Sequence, residues 1–202
     1  ADELLSRLNE ARDNGVMISA DIYPYTYWQS TMQVLFPDRD FDDRGSADLA
    51  LSEITSPDEV IITQYDPEPD YIGKRLSEIA ELRREHPSVT LMGLISETNY
   101  DDGSESIVAK SMTETDIIEL LEWRYTNICT DGGSDGGHPR GYGTYPRILG
   151  QYVREDRSMD LESAVHKMTG LPSLNMGLED RGILGPGKVA DVVVFDPLRI
   201  ID

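Results

Sequence analysis

One cysteine, three histidines and three phenylalanines are all that this 202-residue chain has of those types, and 18 lysines and arginines face 38 aspartates and glutamates. A single thiol, Cys129, excludes an internal disulfide and a cysteine-rich zinc cluster. His86, His138 and His166 lie far apart, with no His-x-His pair and no His-Glu-x-x-His helix, so the chain carries no self-sufficient metal site. A net charge of −20 leaves no basic footprint for nucleic acid and no attraction to an anionic membrane surface. No apolar run approaches the roughly 20 residues that span a bilayer. The phosphate-binding pattern Gly-x-x-x-x-Gly-Lys-Ser/Thr is missing, as are internal repeats and low-complexity linkers. Ala1 to Arg7 has acids where a secretory leader has an apolar stretch, and it reads as the middle of a helix. The true N-terminus is therefore expected upstream.

What remains is the composition of a soluble globular protein, 39% hydrophobic and 28% charged. Its length suffices for a real core in one or two domains. Residues 2–14 carry Leu4, Leu5, Leu8 and Ala11 at helical spacing and stop at Asn14-Gly15. Val16 to Ile22 is an uninterrupted strand-length run, the pattern of a strand buried on both faces in a parallel sheet, and Pro24 ends it. Val60 to Tyr65 is a second strand. Residues 72–85 have helical spacing, whereas Val89 to Thr98 fits helix or strand equally. Thr113-Glu114-Thr115-Asp116 opens a helix that leads into a strand over Ile128–Asp131. Residues 144–155 and 160–169 are further helices, and the last 20 residues read as two short strands around Gly185-Pro186-Gly187. Alternating strands and helices predict parallel α/β architecture with a small β element at the end. The expected division is 1–178, with a surface excursion over about 26–59, and 179–202.

The chemistry concentrates after the strand at Ile128. Asp131 stands at its C-terminal tip, where α/β enzymes place catalytic groups, although a helix cap or a turn uses the same residue. The segment from Gly132 to Gly137 is too glycine-rich for a packed loop, so a ligand approaches it closely or it moves. His138-Pro139-Arg140 and Tyr145-Pro146-Arg147 follow. Arg140 or Arg147 suits bidentate binding of a substrate carboxylate, with pairing to the acidic surface as the alternative. Tyr23, Tyr25, Tyr27 and Trp28 fit a pocket lining or simple loop packing. Asp38, Asp40, Asp42, Asp43, Asp101 and Asp102 lack calcium-loop spacing, and His86 and His166 read as structural.

The chain resembles the C-terminal part of the N-acyl-D-amino-acid deacylases (D-aminoacylases) of the amidohydrolase superfamily. The resemblance runs from Asp21-Ile22-Tyr23-Pro24-Tyr25 to Pro197. It rests on Thr130-Asp131-Gly132, on the run from His138 to Arg147, and on the tail from Met168 through Lys188-Val189-Ala190-Asp191-Val192-Val193-Val194-Phe195-Asp196-Pro197. It implies the last β/α units of a (β/α)₈ TIM-like barrel, an incomplete barrel of α/β class, with C-terminal strands of a small β-sandwich. It also implies a zinc-dependent hydrolase that cleaves an N-acyl-D-amino acid to a carboxylate and a free D-amino acid. Asp131 matches the family's general base, with Tyr25, His138, Arg140 and Tyr145 as substrate-binding residues. The family's metal ligands lie on earlier strands and have no counterpart here, and Cys129 does not match the ligand cysteine. Zinc is thus expected in the full-length enzyme and not in this chain, which alone should hydrolyse nothing. Uncovered barrel edges should make it self-associate, and the expected location is cytoplasmic. The alternatives are a cyclic amidase of dihydroorotase or hydantoinase type and a non-catalytic interaction module.

Overall fold

The computed structural model describes residues 1–101, 103–133 and 137–202. Asp102 and the centre of the glycine-rich segment, Ser134 to Gly136, lie outside the described residues. In chain order the elements are α1 (Asp2–Asp13), β1 (Ala20–Ile22), β2 (Tyr27–Ser30), α2 (Arg44–Leu49), β3 (Val60–Tyr65), α3 (Leu76–Arg83), α4 (Pro87–Glu97), β4 (Glu105–Lys110), α5 (Glu114–Glu122), β5 (Thr126–Ile128), α6 (Arg140–Arg147), α7 (Leu161–Met168) and α8 (Gly170–Asn175). π-Helical turns occupy Ala50–Ile54 and Ile148–Glu155. These elements form two units, one of Ala1–Tyr25 with Thr113–Asp202 and one of Thr26–Met112.

The Thr26–Met112 unit is a three-stranded antiparallel sheet in the order β2-β4-β3, packed with α2, α3 and α4. The strands alternate, so that Val60, Ile62, Ile107 and Ala109 join Leu76, Ile79, Leu91, Leu94 and Ile95 in a dry core. Glu105, 2% exposed, is held in that interior by the Met32 N–H, which donates to both of its oxygens at 2.8 and 2.9 Å. Tyr65 donates to Glu97 at 2.8 Å, and Arg83 grips the same carboxylate through two bonds of 2.7 Å. Arg83 holds the Glu97 carboxyl below its ordinary range, against the opposing effect of burial.

The expected excursion at 26–59 is thus the opening of a larger unit with its own core. Val60–Tyr65 is a strand, but its partner β4 runs antiparallel to it. Strand direction depends on which neighbour pairs, and composition does not carry that. Pro87 and the side chain of His86, whose Nδ1 accepts the Ser88 N–H at 3.3 Å, start a helix over the ambiguous 89–98 stretch.

The other unit carries the parallel pair. Ala20, Asp21 and Ile22 of β1 lie beside Thr126, Asn127 and Ile128 of β5. The strand is shorter than the run from Val16, because Met17 is 91% exposed and contributes nothing to the core. Helices α5 and α7 cover β5, and Ile117, Leu121, Ile128 and Ala164 are buried. Thr113 and Asp116 form the predicted capping box of α5, and Asp160 caps α7 by accepting the Ser163 N–H at 2.7 Å. Between the strands Asn127 donates to Asp21 at 2.7 Å and accepts from Asn175 of α8 at 2.9 Å.

The two short strands expected within 179–202 do not form. Val193 and Val194 are 84% and 90% exposed, and no strand of the described residues pairs with them. A strand exists only where a neighbour takes its backbone N–H and C=O groups. Apolar alternation cannot create that neighbour.

Candidate functional site

Because β1 and β5 are parallel, their C-terminal ends emerge side by side, joined by a last bond from the Cys129 N–H to the Ile22 carbonyl at 3.0 Å. The two loops that leave them bring Tyr23-Pro24-Tyr25 beside Thr130-Asp131-Gly132. Asp131 has a left-handed backbone, φ +45°, a conformation that aspartate tolerates better than bulky residues. Its side chain is 63% exposed and its Oδ2 lies 3.2 Å from Nη1 of Arg140. Arg140, 13% exposed, also donates through Nη1 to the Tyr23 hydroxyl at 3.0 Å and lies 4.9 Å above that ring. Burial raises the Tyr23 hydroxyl above its ordinary pKa, and the adjacent Arg140 partly offsets this.

Arg140 opens α6, and the turn before it is set by His138. His138 is 5% exposed, and its Nδ1 accepts the Arg140 N–H at 3.1 Å. Its ring meets the Tyr25 ring edge-on, 5.2 Å between centroids. One close approach makes the arrangement possible. A Cβ on Gly132 would overlap the backbone of Gly141 and lie 2.6 Å from its nitrogen. Glycine at 132 therefore lets the Asp131 loop touch the start of α6.

Arg147, the other candidate carboxylate clamp, is already engaged. Its Nε donates to the Pro24 carbonyl at 2.9 Å, its guanidinium lies 5.0 Å from the Tyr25 ring centre, and its Nη1 is 3.4 Å from Asp202 Oδ2. Tyr25 gives its hydroxyl to the same Asp202 oxygen at 3.1 Å. Burial, with Asp202 beside it, pushes this phenol up to about 12. Tyr145 lies on α6 and is 41% exposed. Burial is the main influence on its hydroxyl, with a smaller one from Cys129.

Asp131, Arg140, His138 and Tyr25 are thus brought to one strand end. Sequence reasoning grouped Tyr23 with the other aromatics after β1 as a pocket lining or loop packing, and did not single it out as the partner of Arg140. Asp202 carried no signal at all. The described residues do not fit a zinc ion by themselves, since no three His, Cys, Asp or Glu side chains converge. Burial, aided by Asp21 and Asp131, raises the Cys129 thiol and so disfavours the thiolate that metals bind.

The sequence model of the Amidohydrolase family matches residues 91–202. The chain belongs to the amidohydrolase family. Among its relatives, an N-acyl-D-glutamate deacylase of Alcaligenes xylosoxydans xylosoxydans is 34% identical over 200 residues, which are 98% of this chain and 36% of that protein. A D-aminoacylase of the same organism is 34% identical over 191 residues, 92% of this chain and 34% of its own length. The crystal structure of N-acyl-D-glutamate deacylase from Bordetella bronchiseptica superposes with a TM-score of 0.76 at 30% identity, covering 98% of this chain and 37% of that one. That relative holds zinc and a phosphonate inhibitor that mimics the tetrahedral intermediate. The amidohydrolase chain described here therefore has the mixed α/β fold of these deacylases while spanning little more than a third of their length. No helix of its described residues is long and apolar enough to cross a membrane.

Proposed function

We propose that this chain supplies the general base and a carboxylate grip of an N-acyl-D-amino-acid deacylase whose zinc ligands lie elsewhere in a longer polypeptide. The observation that carries the reading is the Asp131–Arg140 pair, 3.2 Å apart where two parallel strands end. An N-acyl amino acid brings its own carboxylate. Arg140, steadied by Tyr23, exchanges the Asp131 oxygen for that group, and charge-assisted bonding favours the exchange. Asp131 is then free to accept a proton from the attacking water and return it to the departing amine. Edge-on packing of Tyr25 against His138 and the Arg140 N–H bond to His138 hold the arginine's turn in place.

In the longer polypeptide, Arg140→Gln is expected to raise KM for an N-acyl-D-glutamate by about tenfold or more, the worth of one charged hydrogen bond, with a smaller change in kcat. An unchanged KM would sink the reading. The isolated chain has no turnover in this account, and it belongs to the cytoplasm, where a lone thiol stays reduced. In the same reading residues 179–202 become strands of a small β-sandwich once a neighbour pairs with them. Without that neighbour the exposed Val192–Val194 run drives self-association. Sedimentation velocity should show species larger than one chain, and a monomer throughout would count against this.

A further inference from the structure

The last residues of the chain, 196–202, lie along α6 and the π-helical turns that follow it. Arg154 donates through Nη1 to the Ile200 and Pro197 carbonyls, at 2.5 and 3.3 Å. Gly150 leaves room for this, since a Cβ there would stand 2.7 Å from the Ile200 oxygen. Gly143 leaves room further along, because a Cβ would collide with the Tyr25 hydroxyl and lie 3.1 Å from Asp202 Cβ. Two glycines about two turns apart thus admit the segment and let its Asp202 carboxylate reach Tyr25 and Arg147 together.

We propose that Asp202 is a positioning residue, clasping Tyr25 and Arg147 and thereby fixing the His138–Arg140 turn that faces Asp131. The contacts form a continuous series. Asp202 Oδ2 accepts from the Tyr25 hydroxyl at 3.1 Å, the Tyr25 ring abuts His138, and His138 Nδ1 accepts the Arg140 N–H at 3.1 Å. Arg147 closes the clasp from the other side. It ties the same carboxylate to the Pro24 carbonyl, and so to the loop that carries both tyrosines. Without Asp202, Arg147 would keep Pro24 but Tyr25 would lose the acceptor that orients its ring. His138 would then lose the wall that holds its imidazole toward the Arg140 amide. The tail would therefore act on the site through two side chains and would never touch substrate.

The proposal rests on the reading of Asp131 and Arg140 as site residues, and its test is separate from that reading. Hydrogen–deuterium exchange with residue-level mass spectrometry on this chain measures the Arg140, Tyr142 and Gly143 amides directly. Asp202→Ala and Tyr25→Phe should each speed exchange at these amides by about tenfold, as expected for loss of one charge-assisted bond. The α7 amides should stay at the parent rate and serve as the internal reference. The double variant should equal Asp202→Ala alone, since that substitution already removes the Tyr25 bond together with the Arg147 contact. Tyr25→Phe keeps the ring and its packing, so it remains informative if Asp202→Ala unfolds the unit. Unchanged Arg140 and Gly143 amides in both variants would overturn the proposal, as would acceleration shared equally with α7. KM of Arg140→Gln tests the underlying reading, so either can fail alone.

Discussion

Asparagine in place of Asp131 is expected to lower kcat for an N-acyl-D-amino acid by about 10²–10⁴-fold, the usual contribution of a general base, with KM little altered. The substitution is chosen for its local fit. Position 131 has φ +45°, and asparagine tolerates the left-handed region as aspartate does. Its amide oxygen can still accept from Arg140, so the loop and the arginine should stay in place. Only the ability to take a proton is removed. The assay needs the longer polypeptide that carries the metal ligands, with single-turnover rates to separate chemistry from product release. A kcat equal to that of the parent would show that Asp131 serves the loop and nothing more.

Gly132→Ala should be nearly as damaging although it adds a single methyl group. That methyl would fall on the backbone of Gly141, with its nitrogen 2.6 Å away. Backbone cannot rotate aside as a side chain can, so either the Asp131 loop or the first turn of α6 must move. Overpacking of this kind costs about 1–3 kcal/mol. The catalytic cost should be larger, because a displacement of about 1 Å between reacting groups lowers rates by roughly 10²-fold. Gly185→Ala supplies the comparison, since its Cβ would meet nothing closer than the Lys188 Cγ at 3.7 Å. Thermal unfolding and kcat/KM of both variants decide the matter. Parent-like kcat/KM in Gly132→Ala would mean that the close approach of the two glycines is not needed.

Much of the local structure was legible in residue order. Caps at Thr113 and Asp160 and the aspartate after β5 each rest on chemistry within a few residues, so reading them requires no neighbour, whereas the helix that Pro87 opens stayed undecided between helix and strand. The division of the chain was less legible. Residues 26–112 form their own unit because Glu105–Lys110 lies between Tyr27–Ser30 and Val60–Tyr65 in an antiparallel sheet. Pairing across such distances leaves no trace in a hydrophobic pattern. For a related reason the tail holds no strand among the described residues. Val192, Val193 and Val194 have strand character, but propensity without a partner edge leaves them extended and exposed.

The site divides in the same way. By itself the sequence determined which groups are chemically able to act, namely Asp131, His138, Arg140, Arg147 and the tyrosines, because side-chain chemistry is fixed by identity. Tertiary structure decided which arginine faces the carboxylate. Arg140 reaches Asp131 and Tyr23, while Arg147 is turned to Pro24, Tyr25 and Asp202. The two arginines occupy equivalent places in His-Pro-Arg and Tyr-Pro-Arg. What separates them is that one starts α6 and the other ends it, so about two turns of helix set their guanidinium groups against different neighbours.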